Sequence, residues 1–477
     1  MADLLLRHAA HVWTGASPGR LDDAWIRVEG GRIAALGPEP CPPEHAGAEG
    51  VETIDLTGHL VTPGFVNTHH HFFQSVTRGI PGVAACGYMD WLAGLYPMWA
   101  RMTAEDFATA TRVAVGELLL SGVTTTADFA YLLPETDDAR LDALLDVARE
   151  AGIRLHLVRG CMPRIEGDLA QRLAPVMGEA VLADLLDTPE RLVAGMERAA
   201  TRHDTDPFAM LRVAFGPTSV TYDDPALLAR IGEIAHAAGC GLHTHYHPRE
   251  DERALTDRLH GKPPVRVLAD AGWLAPGTWF AHCTRLDDED IAAFADNGCG
   301  VAHCPRCCLR LGLPVAPIGR LREKDVALGI GVDGSASNDS GNFLGELRLA
   351  LVLHRVAGRD RADPVEHWMT ADEVLRLATS GGARVLGRDR IGTLAPGMAA
   401  DIAAFDLRRI GYAGSADPVE GFLLAGSHPY ADLTVVAGRV RVRDGRLLDV
   451  DERALVAEAN RVAARLATAD GDPGRRP

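Results

Sequence analysis

The sequence predicts an α/β protein: a closed (β/α)8 TIM-type barrel carrying a small β-sandwich domain built from the two ends of the chain. Three observations predict it. Strand-like and helix-like stretches alternate from about residue 60 to residue 385, the pattern of a parallel sheet with crossover helices. Metal-ligating residue types fall at the ends of four of those strand-like runs. Short alternating runs with turns occupy both chain termini.

Residues 1–59 contain runs such as Ala24 to Ile33, and residues 386–446 repeat the style in Asp401 to Asp406 and Leu433 to Val440, so the two sets are expected to pair into one small domain. Eight barrel strands are expected between residues 60 and 385. They are Val61 to Asn67, Val123 to Asp128, Leu155 to Arg159, Leu211 to Gly216, Gly241 to His245, Thr278 to His282, Gly300 to His303 and Ala327 to Asp333. Apolar residues recur at helical spacing in Ala104 to Leu120, Asp137 to Ala151, Pro225 to Ala238 and Asp287 to Asp296. Residues 447–477 are expected to add a C-terminal helix and tail. A doubly wound open sheet is the alternative, and the convergence of candidate ligands from first and last strands favours closure.

Of the 477 residues, 47% are hydrophobic and 24% charged, enough for a buried core, and the net charge of −17 argues against a nucleic-acid partner. No apolar run approaches the roughly 20 residues of a membrane span, and the start lacks a signal peptide's apolar centre, so a cytoplasmic location is expected. The nine cysteines then read as reduced thiols, with Cys304-Pro305-Arg306-Cys307-Cys308 a loop of packed sulfurs.

The chemistry is carried by histidines. In Pro63-Gly64-Phe65-Val66-Asn67-Thr68-His69-His70-His71, the two-residue period of a strand points His69 and His71 to the same side, where one ion can take both. His245, His282 and Asp333 end three other strand-like runs. His70 and His243 are placed on faces opposite to their neighbours and read as structural, and His303 as a packing or supporting residue. Gly329-Ile330-Gly331-Val332-Asp333-Gly334 fits a dinucleotide fingerprint, but lies too late in the chain to open the first βαβ unit. No G-x-S-x-G elbow points to a serine hydrolase.

This constellation resembles the amidohydrolase superfamily: His-x-His after the first strand, a His after the fifth, a His after the sixth and an Asp after the eighth. Ile391 to Asp401 is similar to the stretch where these chains return to their small domain. His69 to Gln74, Asp90-Trp91-Leu92, Tyr96-Pro97 and Val332 to Asp339 most resemble the branch that holds the 8-oxoguanine deaminases, triazine hydrolases and guanine deaminases. The resemblance implies one divalent metal, zinc first and iron(II) second, on His69, His71, His245 and Asp333 with water completing the shell. It also implies Asp333 as general base and His282 as a non-ligand that orients the attacking hydroxide. The reaction it implies is hydrolysis at an sp² carbon of a nitrogen heterocycle, releasing ammonia from a purine-, pterin- or triazine-like ring. Gln74, Trp91, Tyr96, Arg159 and Cys308 are the candidate substrate contacts, with Arg101 a weaker one, and a homodimer or higher homo-oligomer is the implied assembly.

Two departures limit the resemblance. The branch carries a proton-shuttling Glu three residues after the fifth-strand His, and here that position is Pro248, which has no ionisable group. His247 is the first candidate substitute and Glu250 the second. Cys307-Cys308 replace a Ser-Asn pair, which makes the pocket less polar and leaves the substrate unnamed. Displacement of halide or alkylamine from a ring, or urea or carbamate hydrolysis, therefore stands as the alternative reaction. A non-catalytic metal-binding relative is the alternative from outside the enzymes.

Overall fold

The computed structural model describes residues 3–468 apart from 18, 47–49, 134–137, 166, 179–181, 183–184, 222, 247–250, 358–364 and 427. Eight parallel strands close into a barrel in chain order: Phe65–Asn67, Val123–Ala130, Arg154–Cys161, Leu211–Pro217, Gly241–Tyr246, Thr278–His282, Gly300–His303 and Ala327–Ile330. They are called here the first to eighth barrel strands. Most of their residues are buried on both faces, because helices cover the outside and side chains fill the inside.

The crossover helices start and stop where local chemistry dictates. Ala104–Leu120 opens on a reciprocal cap in which the Thr103 side chain accepts from the Asp106 N–H and Asp106 accepts from the Thr103 N–H. Pro225–Ala238 opens on Asp224 with Pro225 in its first turn and ends at Gly239, whose φ of +66° suits glycine. Asp288–Asp296 repeats the reciprocal cap with Asp287 and Asp290.

Closure between the first and eighth strands rests on few atoms. Ile330 pairs with Asn67, the Thr68 N–H donates to the Ile330 carbonyl at 2.9 Å, and the Asn67 carboxamide bridges Val332 N–H (2.9 Å) and Thr126 Oγ1 (3.0 Å). Asn67 thus ties together the strands that carry the first and last candidate ligands.

Outside the barrel, five N-terminal strands (Asp3–Trp13, Arg20–Glu29, Arg32–Pro38, Val51–Asp55, His59–Pro63) join four from the C-terminal part (Ile402–Asp406, Leu433–Val436, Arg439–Arg443, Arg446–Leu447) in one mixed sheet of nine. The sheet wraps its own apolar core, which includes Leu4, Leu6, Ile26, Val28, Val61, Ile402 and Val435. The run Val61 to Asn67, expected as one strand, is divided between the two sheets. His59–Pro63 pairs with Ile402–Asp406, whereas Phe65–Asn67 enters the barrel. Gly64 is the pivot, and a Cβ there would lie 2.2 Å from the Thr124 side chain. The C-terminal helix Glu452–Thr468 packs on Ala104–Leu120 through Glu458, which accepts from Thr109 at 2.7 Å.

Sheet and barrel are joined by a buried ion pair. Arg154 of the third barrel strand donates from Nε and Nη2 to the two oxygens of Asp401 at 3.1 and 3.2 Å, with both side chains out of solvent. Asp401 also accepts from the Ala437 N–H at 2.7 Å, so both of its oxygens have a donor. No described helix is long and apolar enough to cross a membrane.

Removing one partner of such a pair strands a buried charge. Asp401→Ala is expected to cost about 3–5 kcal/mol of unfolding free energy, read from the midpoint shift in a denaturant titration.

Candidate active site

The ends of the first, fifth, sixth and eighth barrel strands converge on one buried cluster. His69 Nε2 and His71 Nε2 each lie 3.3 Å from Asp333 Oδ1, and His71 Nε2 lies 3.2 Å from His245 Nε2. The rings of His69 and His245 are 5.0 Å apart, and His282 stands 5.5 Å from both.

Each ring's far nitrogen decides what its near nitrogen can do. His71 Nδ1 meets the Phe129 carbonyl at 2.9 Å and His245 Nδ1 meets the Thr218 carbonyl at 2.7 Å, and a carbonyl only accepts, so both Nδ1 atoms carry hydrogen. His243 Nδ1 donates to the Trp279 carbonyl at 2.7 Å, which leaves its Nε2 as an acceptor for His69 Nδ1–H at 2.8 Å. All three near nitrogens are therefore lone pairs. Burial also pushes these imidazoles below their ordinary pKa, which disfavours a second proton on any ring.

Two lone pairs facing each other at 3.2 Å, a third on His69 Nε2 with no hydrogen-bond partner, and a carboxylate oxygen beside them repel one another unless a cation sits between. Tetrahedral ligands about 2.1 Å from an ion lie about 3.4 Å from one another, close to the spacing seen. Asp333 accepts from the Gly334 N–H at 2.7 Å and from Ser337 Oγ at 2.8 Å. The donor set fits a divalent metal.

The loops spend strain to present these groups. His282 has φ +71° at the centre of a three-residue turn in which the Cys283 N–H donates back to the Ala281 carbonyl, and Asp333 has φ +62°. Two further contacts fix the positions. The Asp333 N–H donates to the His69 carbonyl at 3.1 Å, and the Phe72 N–H, next to His71, donates to Asp128 Oδ1 at 2.7 Å.

At the cluster lies a cavity of about 50 Å³ whose walls include Gln74, Tyr88, Trp91, Tyr96, Tyr131 and Leu313. A larger apolar cleft of about 330 Å³ runs beside Leu145, Met210 and Val436, but the described metal-ligating groups do not reach it.

Residues 60–444 match the model of the amidohydrolase family. The chain belongs to that family. Among relatives, 8-oxoguanine deaminase of Pseudomonas aeruginosa is 38% identical over 445 residues, spanning 92% of this chain and 94% of the relative. Hydroxydechloroatrazine ethylaminohydrolase of Pseudomonas sp. strain ADP is 35% identical over 458 residues, spanning 94% and 92%. The solved zinc complex of atrazine chlorohydrolase from Arthrobacter aurescens TC1 superposes with a TM-score of 0.87 at 32% identity, covering 96% of this chain and 100% of that one.

In this amidohydrolase the expected residues His69, His71, His245, His282 and Asp333 meet, and Gln74, Trp91 and Tyr96 line the cavity. Gln74 is buried with its Oε1 unpartnered, an acceptor kept for something else. Arg159 is elsewhere. Its guanidinium lies outside the barrel beside the helix Pro189–Ala200, 3.6 Å from Asp187 and donating to the Gly160 carbonyl. Arg101 likewise turns away, to the Leu466 carbonyl. Cys308 does not line the cavity but stands behind His282, with Sγ 3.9 Å from Nδ1, and Cys307 is the thiol in the wall. His247, Pro248 and Glu250 lie outside the described residues.

His243 is corrected. Two residues before His245 it shares that side chain's face rather than opposing it, and it is the acceptor that sets the His69 tautomer. Tyr131 and Thr218, just past the second and fourth strands, were also missed, although position at a strand's C-terminal end is the signal that would have found them.

Removing the acceptor behind a metal-binding imidazole loosens its ring and its tautomer. His243→Ala is expected to weaken divalent-metal affinity by about 10- to 100-fold with the fold intact, measured by competition with a chromogenic chelator.

Proposed function

We propose that this amidohydrolase holds one zinc ion on His69, His71, His245 and Asp333 and deaminates a purine-, pterin- or triazine-like ring. Iron(II) is the second candidate for the ion. The observation that carries the reading is the convergence of three lone-pair nitrogens and one carboxylate beneath an aromatic cavity. Zinc bound there supplies Lewis acidity and lowers the pKa of water toward about 7.

The chain's own groups do the rest. Asp333 accepts the proton of the attacking water, and Ser337 Oγ, 2.8 Å from its Oδ2, keeps the carboxylate turned toward the centre. His282 faces the same point from its strained turn and orients the attacking oxygen. Trp91 is locked by its indole N–H, which donates to the Ala336 carbonyl at 2.9 Å, and with Tyr88, Tyr96 and Tyr131 it walls in a flat ring. Gln74 Oε1 accepts from a ring N–H or amine. The amino group leaves as ammonia only if it gains a proton, and His247 is proposed to deliver that proton. The protein is proposed to act on its small molecule as a cytoplasmic homodimer or higher homo-oligomer, without a nucleic-acid or membrane partner.

Pro248 favours one second reading, displacement of halide from a triazine ring, because chloride departs without a proton whereas an alkylamine, like ammonia, needs one. The zinc-loaded enzyme should release ammonia from one or more members of a panel of purines, pterins and amino-triazines. Asp333→Asn should lower that rate by about 100- to 10,000-fold. Chloride release from a chloro-triazine, with no ammonia from the panel, would establish the second reading, and no release from the panel or from the chloro-triazine would refute both.

A further inference from the structure

Cys307 is a buried thiol in the cavity wall that the proposed reaction does not use. One ligand atom each from Cys307, His282 and Asp333 lie within 4.8 Å of one another, all three side chains buried. Among the described residues His69, His71 and Asp333 form a second such group and His69, His245 and His282 a third, so Asp333 and His282 each belong to two groups while Cys307 belongs to one. A carboxylate has two oxygens, so one residue can serve two ions.

We propose that a second, soft divalent cation, zinc in excess or cadmium, binds to Cys307, His282 and Asp333 on the substrate side of the first ion. This rests on the proposed function, in which His69, His71, His245 and Asp333 already complete the protein's share of the first shell. Sulfur and imidazole together select soft and borderline ions over magnesium or calcium. Tetrahedral N, O and S ligands about 2.0–2.3 Å from an ion lie about 3.3–3.8 Å apart, so side chains within 4.8 Å need only small rotations. Binding forms a metal–sulfur bond and releases the Cys307 thiol proton to solvent, one proton per ion. His282 leaves its role toward the attacking oxygen when it turns to this ion. The second ion also fills the floor of a cavity of about 50 Å³. Occupancy therefore blocks turnover, which makes the site inhibitory.

The test is a cadmium titration of the enzyme carrying one equivalent of zinc, followed by near-ultraviolet sulfur-to-cadmium charge transfer and by metal content after desalting. The wild-type protein should end with two ions per chain, its absorption band saturating with the second and activity falling in step. Cys307→Ser and Cys307→Ala should keep one ion, lose the band and bind added cadmium at least tenfold more weakly, while Cys308→Ser keeps the band. The wild-type measurement alone is decisive if the variants fail to fold. One ion without a band, one ion with a band, or a band that survives both Cys307 substitutions would each overturn the second site and leave the first standing. A protein that holds no ion would overturn the proposed function together with it.

Discussion

Three hydrogen bonds on the outer side of the imidazoles govern this molecule. Because Phe129 O, Thr218 O and His243 Nε2 can only accept, the rings of His71, His245 and His69 must each keep a proton on Nδ1 and turn a lone pair inward. Burial removes the other way of relieving the repulsion, since an imidazolium has no water to stabilise it there. The interior is left with electron pairs that only a cation can satisfy.

The barrel exists, in this view, to hold those acceptors still. The carbonyl partners come from the end of the second strand and the turn after the fourth, and the His243 relay ends on the sixth, so ring orientation is set by strands that contribute no ligand or a different one. Asn67 closes the cylinder between first and eighth strands, and the His69–Asp333 backbone contact sits directly on that seam. Strain at His282 and Asp333 is tolerable because the closed sheet beneath them offers no softer arrangement. At the far end, Arg154 and Asp401 seat the barrel on the outer sheet.

Much of this was legible in the residues. Alternation and strand-end chemistry led to the barrel and to His69, His71, His245, His282 and Asp333, because a period of two and a rule about where strands end need no tertiary information. What escaped needed the third dimension. Gly64 divides one apolar run between two sheets for a steric reason that lies in Thr124, sixty residues away. Arg159 looked like an anion anchor, but His156 packs edge-on to Trp279 inside the barrel, so strand alternation turns Arg159 outward. His243 was misplaced by a parity error that the sequence itself could have corrected. Cys307 and Cys308 differ in role because a short helix, Pro305–Arg310, directs one to the cavity and the other behind His282.

The central claim is that proton placement, not merely the presence of histidines, makes the metal centre. Nitrogen-15 NMR of the imidazoles in the protein loaded with one zinc or cadmium ion tests it most directly. The account predicts that His69, His71 and His245 each bind through Nε2 and retain a proton on Nδ1. Coordination through Nδ1 at any of the three, or loss of its proton, would contradict it.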